Sequence, residues 1–191
     1  MQERDLKILD FITKVRVCTR EQIQDIYFSR VHQNVPMRRL KYLVDNDYLK
    51  RSYFNINNNK NVYVYYIDKK PSKRLLKHDL LITEFATKLI LSGYEIIDFK
   101  KSIVIGNVIP DAYIQICKNG KIKTLLLEMQ LSSHDCIKKY YNFKETVLEH
   151  TKWPVMPRLF VITNNQDLIT DLQDIKVITD NLDMYKVGDL L

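Results

Sequence analysis

Glycine and proline are scarce in this chain, at 4 and 5 of its 191 residues. So few glycines leave no Gly-rich phosphate loop, and no Ser/His/Asp arrangement stands out, which argues against nucleotide hydrolysis and acyl transfer. Cysteine is rarer still. Cys18, Cys117 and Cys136 are odd in number and scattered, a pattern of reduced thiols that predicts a cytoplasmic protein rather than a disulfide framework. Cys117, His134 and Cys136 lack a fourth ligand at zinc-site spacing, so they read as ordinary residues. No run approaches the roughly 18 apolar residues of a transmembrane helix. The opening MQERDLK has no apolar signal-peptide core, and no membrane partner is expected.

What the chain does have is uneven charge. The formal net charge is +7. Residues 1–70 carry 14 Lys/Arg against 8 Asp/Glu, and residues 71–191 carry 16 against 15. Basic charge concentrated in a small first domain points to a polyanion, with nucleic acid ahead of an anionic membrane. At this length the chain holds one large domain or two small ones. The composition break at Lys69-Lys70-Pro71-Ser72 favours two, residues 1–70 and 71–191.

In the first domain, Leu6, Ile8, Leu9, Phe11 and Ile12 recur at helical spacing, which predicts a helix from about Arg4 to Lys14. Thr19 through Gln22 reads as a capping box opening a second helix. Pro36 suits the first turn of a third helix ending near Asp45, with Met37, Leu40, Leu43 and Val44 inward and Arg38, Arg39, Lys41 and Tyr42 outward. Two strand-like stretches follow, around Tyr48–Tyr53 and Val62–Ile67, across an Asn-rich turn. Three helices and a hairpin resemble a winged helix-turn-helix. That resemblance implies double-stranded DNA as partner, with Arg38, Arg39 and Lys41 in the major groove and Lys50, Arg51 and Lys60 on the wing. A merely solvated helix face is the plain alternative.

The second domain is organised around VIPDAYIQICKNGKIKTLLLEMQ, residues 108–130. Asn119-Gly120 between two apolar-rich runs predicts a type I′ hairpin. Without a bulge, Asp111 then lies opposite Glu128. Ala112, Ile114, Ile116, Leu125, Leu127 and Met129 share one face, and Asp111, Tyr113, Gln115, Glu128 and Gln130 share the other. Two facing carboxylates destabilise a sheet unless something answers their charge. A divalent cation such as Mg²⁺ held by Asp111 and Glu128 would do so, whereas two solvated acids on an exposed face need no ligand. Around the hairpin, helices are expected from about Lys73 to Leu91, from about His134 to His150 and over Gln166–Leu172. Strands are expected at Ile96–Phe99, Ile103–Ile105, Arg158–Thr163 and Ile175–Ile178. This is an α/β order.

Pro110-Asp111 followed by Glu128-Met129-Gln130 resembles the PD-(D/E)XK signature of restriction-endonuclease-like nucleases. The resemblance implies an α/β nuclease-like domain over residues 71–191, with Asp111 and Glu128 as metal ligands. Gln130 stands where the signature has lysine, which implies weak or absent activity; Lys138 through Tyr141 read either as plain helix surface and core or as a phosphate-facing patch in which Lys138 replaces that lysine. His78, Pro110-Asp111, Glu128-Met129-Gln130 and Lys138 through Tyr141 together resemble the replication-relaxation family of Gram-positive plasmids, phages and conjugative elements. Where that family has E-x-D, this chain has E-x-Q. The family implies a DNA-binding accessory of replication or transfer; a relaxase or replication initiator is a candidate protein partner, and a homodimer a candidate assembly. A Mg²⁺-dependent endonuclease or nickase is the alternative. A transcriptional regulator, whose second domain serves dimerisation or ligand sensing, is a third reading.

Overall fold

The computed structural model describes residues 1–57, 60–131, 136–153, 155–165, 172 and 174–189. The chain forms two compact units, Met1–Leu91 and Ser92–Leu191. Among the described residues these contain five α-helices and two β-sheets, a mixed α+β architecture. No helix among them is long and apolar enough to cross a membrane.

In the first unit, α1 (Glu3–Val15) leads into the short strand β1 (Cys18–Thr19). Helix α2 (Arg20–Tyr27) opens on the predicted capping box. Gln22 N–H donates to Thr19 Oγ1 at 3.3 Å, and Thr19 N–H donates to Gln22 Oε1 at 3.0 Å. Two of the helix's orphan N-terminal donors are thus answered locally. Helix α3 (Asn34–Asp45) starts two residues before the expected proline and packs through Leu40 and Leu43. Met37, expected inside, is 50% exposed, because it lies off the stripe that those leucines set. Strands β2 (Lys50–Asn57) and β3 (Lys60–Tyr66) pair antiparallel, and β1 adds to β3 in the order β1-β3-β2.

Helix α4 (Leu76–Leu91) begins three residues later than its periodicity predicts and belongs to this first unit. Its Leu76 and Leu80 complete an apolar cluster with Val17, Phe54 and Val64. Thr83 Oγ1 donates to the Val17 carbonyl at 2.7 Å, and Gln22 Nε2 donates to the Leu80 carbonyl at 3.1 Å. The division therefore falls at Leu91/Ser92 rather than at residues 70/71, because α4 supplies core and hydrogen-bond partners to the elements before it.

The second unit is built on one five-stranded sheet, in the order β4 (Glu95–Lys101), β5 (Ala112–Lys118), β6 (Lys121–Gln130), β7 (Arg158–Thr163), β8 (Val177–Asp180). The first three strands are antiparallel, and β7 and β8 run parallel to β6. The β5–β6 turn has φ of 53° at Asn119 and 74° at Gly120, the left-handed pair that type I′ requires. Its register is the predicted one, with Ala112 opposite Leu127 and Lys118 opposite Lys121. The stretch expected as a strand at Ile103–Ile105 makes only a bridge between Ile105 and Val108. Gly106 turns it with φ of 57°, and a Cβ there would meet His150 Cδ2 at 2.7 Å.

A parallel β6–β7 pair needs a crossover along a sheet face. Within that crossover the helix expected from about His134 to His150 is broken. A 3-10 turn at Lys138–Tyr140 is followed by Asn142 at φ 58°, and only then by α5 (Phe143–His150). The start of the expected helix, residues 134–135, lies outside the described residues. So does the helix expected at Gln166–Leu172, apart from Leu172 itself. The last strand begins two residues later than predicted.

Candidate functional site

The apolar face of the hairpin is as read from the sequence: Ala112, Ile114, Ile116, Leu125, Leu127 and Met129 are all buried. The second face is not solvated. Tyr113 and Leu126 on that face pack in one cluster with Ile137, Tyr140, Phe143 and Val147. Alternation along β5 and β6 predicted which residues share a face. It did not reveal that the crossover would cover the second one.

This cover buries Glu128 almost completely, at 4% exposure. Its Oε1 accepts a hydrogen bond from the Tyr140 hydroxyl at 2.6 Å and pairs with Lys139 Nζ at 2.7 Å. Lys139 also donates to the Ile109 carbonyl at 2.7 Å, which fixes its ammonium between the Pro110 loop and β6. Desolvation pushes the Glu128 carboxyl up to about 7, with the neighbouring Asp111 adding to the rise, while Lys139 and Tyr140 oppose it. Burial, and then Glu128 itself, raise the Tyr140 phenol, so it is the hydrogen-bond donor of the pair.

Asp111 sits just before β5. Its Oδ2 accepts from Met129 N–H at 2.7 Å, and its own N–H donates to the Leu127 carbonyl at 3.0 Å. The two acids are therefore brought together at one end of the hairpin, as their spacing predicted. Gln130 lies two residues beyond Glu128 on the same strand face, buried and paired in register with Thr163 of β7. Lys138 is exposed, and its neighbour Lys139 makes the carboxylate contact. The sequence flagged the Lys-Lys-Tyr-Tyr run, but only the 3-10 turn decides which lysine and which tyrosine point inward. Glu84 of α4 accepts from Gln22 Nε2 at 3.0 Å within the first unit, and His78 lies on the same helix.

As arranged, each carboxylate has an oxygen already engaged. The charge that Mg²⁺ would bring is supplied by Lys139 on Glu128 Oε1, and Asp111 Oδ2 holds a backbone N–H. Among the described residues no group of three or more His, Cys, Asp or Glu converges. Hard divalent cations favour several oxygen donors, and a cation at Glu128 Oε1 would compete with Lys139 for that oxygen. Cys117 and Cys136 are half-buried and in no disulfide, and His134 lies outside the described residues.

The basic residues of the first unit divide sharply. Arg39 turns inward: its Nε donates to Asp5 Oδ1 at 2.6 Å and its Nη2 pairs with Asp5 Oδ2. Asp5, wholly buried, also accepts from Gln2 N–H at 2.6 Å. The bidentate guanidinium holds that carboxyl below its ordinary value. Arg38 and Lys41 stay exposed on α3 beside Tyr42, with Lys41 in a surface pair with Asp45 at 2.6 Å. Lys50 Nζ donates to the Asp68 carbonyl at 3.0 Å, and the Arg51 guanidinium lies 4.5 Å from the Tyr63 ring centroid. Met37, Arg20 and Arg51 line a common recess on this side. Lys60 begins β3, and its side chain lies outside the description.

No protein-family model matches the chain, and no curated protein matches it.

Proposed function

We propose that the first unit is a winged helix-turn-helix that binds double-stranded DNA. The protein then acts as a DNA-binding accessory of plasmid, phage or conjugative-element replication or transfer. Its second unit is a nuclease-like body of weak or no catalytic activity. The observation that carries the DNA reading is α3, which presents Arg38, Lys41 and Tyr42 to solvent. It does so on a unit with 18 Lys/Arg against 10 Asp/Glu over residues 1–91. The element order, three helices and then a hairpin whose sheet runs β1-β3-β2, supports the same reading. The replication or transfer role rests on the motifs His78, Pro110-Asp111, Glu128-Met129-Gln130 and Lys138–Tyr141, and so does a relaxase or initiator partner. The closed pair of Glu128 with Lys139 supports a degenerate second unit.

The test is a salt titration of duplex binding by fluorescence anisotropy, with Arg38→Glu/Lys41→Glu beside the wild type. Arg39 is left intact because it neutralises buried Asp5. Loss of two phosphate contacts lowers the slope of log K against log salt by about 2. An unchanged affinity and slope would refute the assignment of α3 to the groove.

A second reading, a Mg²⁺-dependent endonuclease or nickase, is favoured by the adjacency of Asp111 and Glu128. Calorimetric titration of Mg²⁺ into wild type and Asp111→Ala, with supercoiled plasmid incubated in parallel, decides it. Metal binding lost in the variant together with metal-dependent nicking would establish the enzyme. An intact plasmid without metal binding leaves the accessory reading.

A further inference from the structure

Of the two faces of the β2–β3 hairpin, the one turned to solvent is aromatic. Alternation sends Phe54, Val62 and Val64 inward to the apolar cluster of the first unit. On the other face the register sets Arg51 opposite Tyr65, Tyr53 opposite Tyr63 and Asn55 opposite Asn61. None of these six is acidic. Tyr53 and Tyr63 remain 58% and 47% exposed. Their ring centroids lie 4.9 Å apart with planes at 49°, and the Arg51 guanidinium lies 4.5 Å from the Tyr63 centroid. Met37 of α3 lines one recess with Arg51 and Tyr63, so this face adjoins the helix that presents Arg38 and Lys41. The acid at that recess, Glu21, is paired with Arg20 at 2.7 Å.

A cross-strand tyrosine pair supports a hairpin whatever surrounds it, so the pair alone points to no ligand. Its surroundings do. Residues 1–91 carry 18 Lys/Arg against 10 Asp/Glu, and the hairpin face adds Arg51 beside the rings. This charge suits a polyanion. A polyanion whose units also carry flat rings uses both features, because bases stack on aromatic side chains while cations track the backbone. Inside a duplex each base face is covered by its neighbours. A tyrosine therefore reaches one only where pairing and stacking are broken.

We propose that the solvent face of the hairpin receives an unpaired base, which stacks on Tyr53 with Tyr63 and Arg51 beside it, while α3 holds the adjoining duplex. The favoured DNA is then a duplex bordering a single-stranded stretch, such as a tail, a fork or a melted site. This inference rests on the duplex reading of the first unit and narrows its substrate.

The full chain is titrated by anisotropy into a blunt duplex and into the same duplex carrying an oligothymidylate tail, with a fluorescent aminopurine at the first unpaired position. The tailed probe binds about tenfold tighter than the blunt one, the scale of one base–aromatic stack, and its aminopurine is quenched. Tyr53→Ala/Tyr63→Ala removes that preference and the quenching, leaves blunt-duplex affinity unchanged and keeps the wild-type circular dichroism. Tyr53→Phe/Tyr63→Phe retains both, because stacking needs the ring and not the hydroxyl. If the double alanine variant does not fold, Tyr53→Ala alone, at the more exposed ring, carries the same expectation. Equal binding of the two probes by the wild type overturns the inference and leaves the duplex reading standing, whereas binding of neither overturns both. A folded alanine variant that keeps the preference and the quenching overturns the inference and leaves the tyrosines to a protein partner. One that loses blunt-duplex affinity in equal measure also overturns it, since the rings would then touch paired DNA.

Discussion

Two buried carboxylates set opposite pH dependences. Glu128, with a folded pKa of about 7, holds its proton more tightly than in the unfolded chain, where a glutamate titrates near ~4.3. Its contribution to stability is therefore fully present below the unfolded value and is lost as pH rises to about 7. Between pH 5 and pH 8 this loss amounts to about 2–3 kcal/mol, and Glu128→Gln, measured by urea unfolding at both pH values, should remove it. Lys139→Ala should deepen the loss, because the charge on Glu128 then has only the Tyr140 hydroxyl to answer it. Asp5 behaves in the reverse sense. Its pKa is lowered, chiefly by the Arg39 hydrogen bond, so its stabilisation is present above the ordinary carboxyl range and is lost as pH falls through the depressed value. Asp5→Asn should flatten the acid limb of the unfolding curve. At neutral pH it should cost roughly 2 kcal/mol, below the ~3–5 of a fully buried pair because Arg39 keeps solvent contact.

The elements that were legible in the sequence are those whose cause is local. The capping box needs only Thr19 and Gln22, and the type I′ turn needs only Asn119 and Gly120. Register then follows by alternation. A change at the turn isolates that cause: nothing lies within 4 Å of a Cβ built on Gly120, whose φ is 74°. Gly120→Ala should therefore cost about 1 kcal/mol in thermal unfolding through backbone strain alone. A full-sized loss of cooperativity would mean that the turn does more than set register. What stayed hidden depends on distant contacts. Helix α4 buries residues around much of its circumference, including Leu76, Leu80, Ile82, Thr83, Phe85 and Ala86, so its periodicity does not say which neighbours it serves. The break at Asn142 places Lys139 and Tyr140 on Glu128, and the Lys-Lys-Tyr-Tyr run carries no signal of that choice. Arg39 looked like its neighbours Arg38 and Lys41, because its partner Asp5 is 34 residues away.

At the scale of the whole molecule, the allegiance of α4 decides which fragments stand alone. A fragment of residues 1–70 keeps the three-helix and hairpin elements but loses Leu76 and Leu80 from their cluster with Val17, Phe54 and Val64. It also strips Gln22, a buried amide, of its partners on Leu80 and Glu84, and the Val17 carbonyl of the Thr83 hydroxyl. Two large leucines at roughly 1.5–3 kcal/mol each, plus about 1–3 kcal/mol for each buried polar group left unmatched, are comparable to the ~5–15 kcal/mol stability of a whole domain. Residues 1–91 should therefore unfold cooperatively and bind duplex DNA with the salt dependence of the intact protein, while residues 1–70 should lack a cooperative transition. Thermal unfolding and duplex anisotropy on the two fragments check both statements. Equal stability would show that α4 merely rests on the first unit. A folded but non-binding 1–91 would move the DNA contact onto residues 92–191, where 12 Lys/Arg stand against 13 Asp/Glu. Since that near-neutral balance offers no general attraction for phosphate, the excess of basic charge on the first unit makes binding by residues 1–91 the expected outcome.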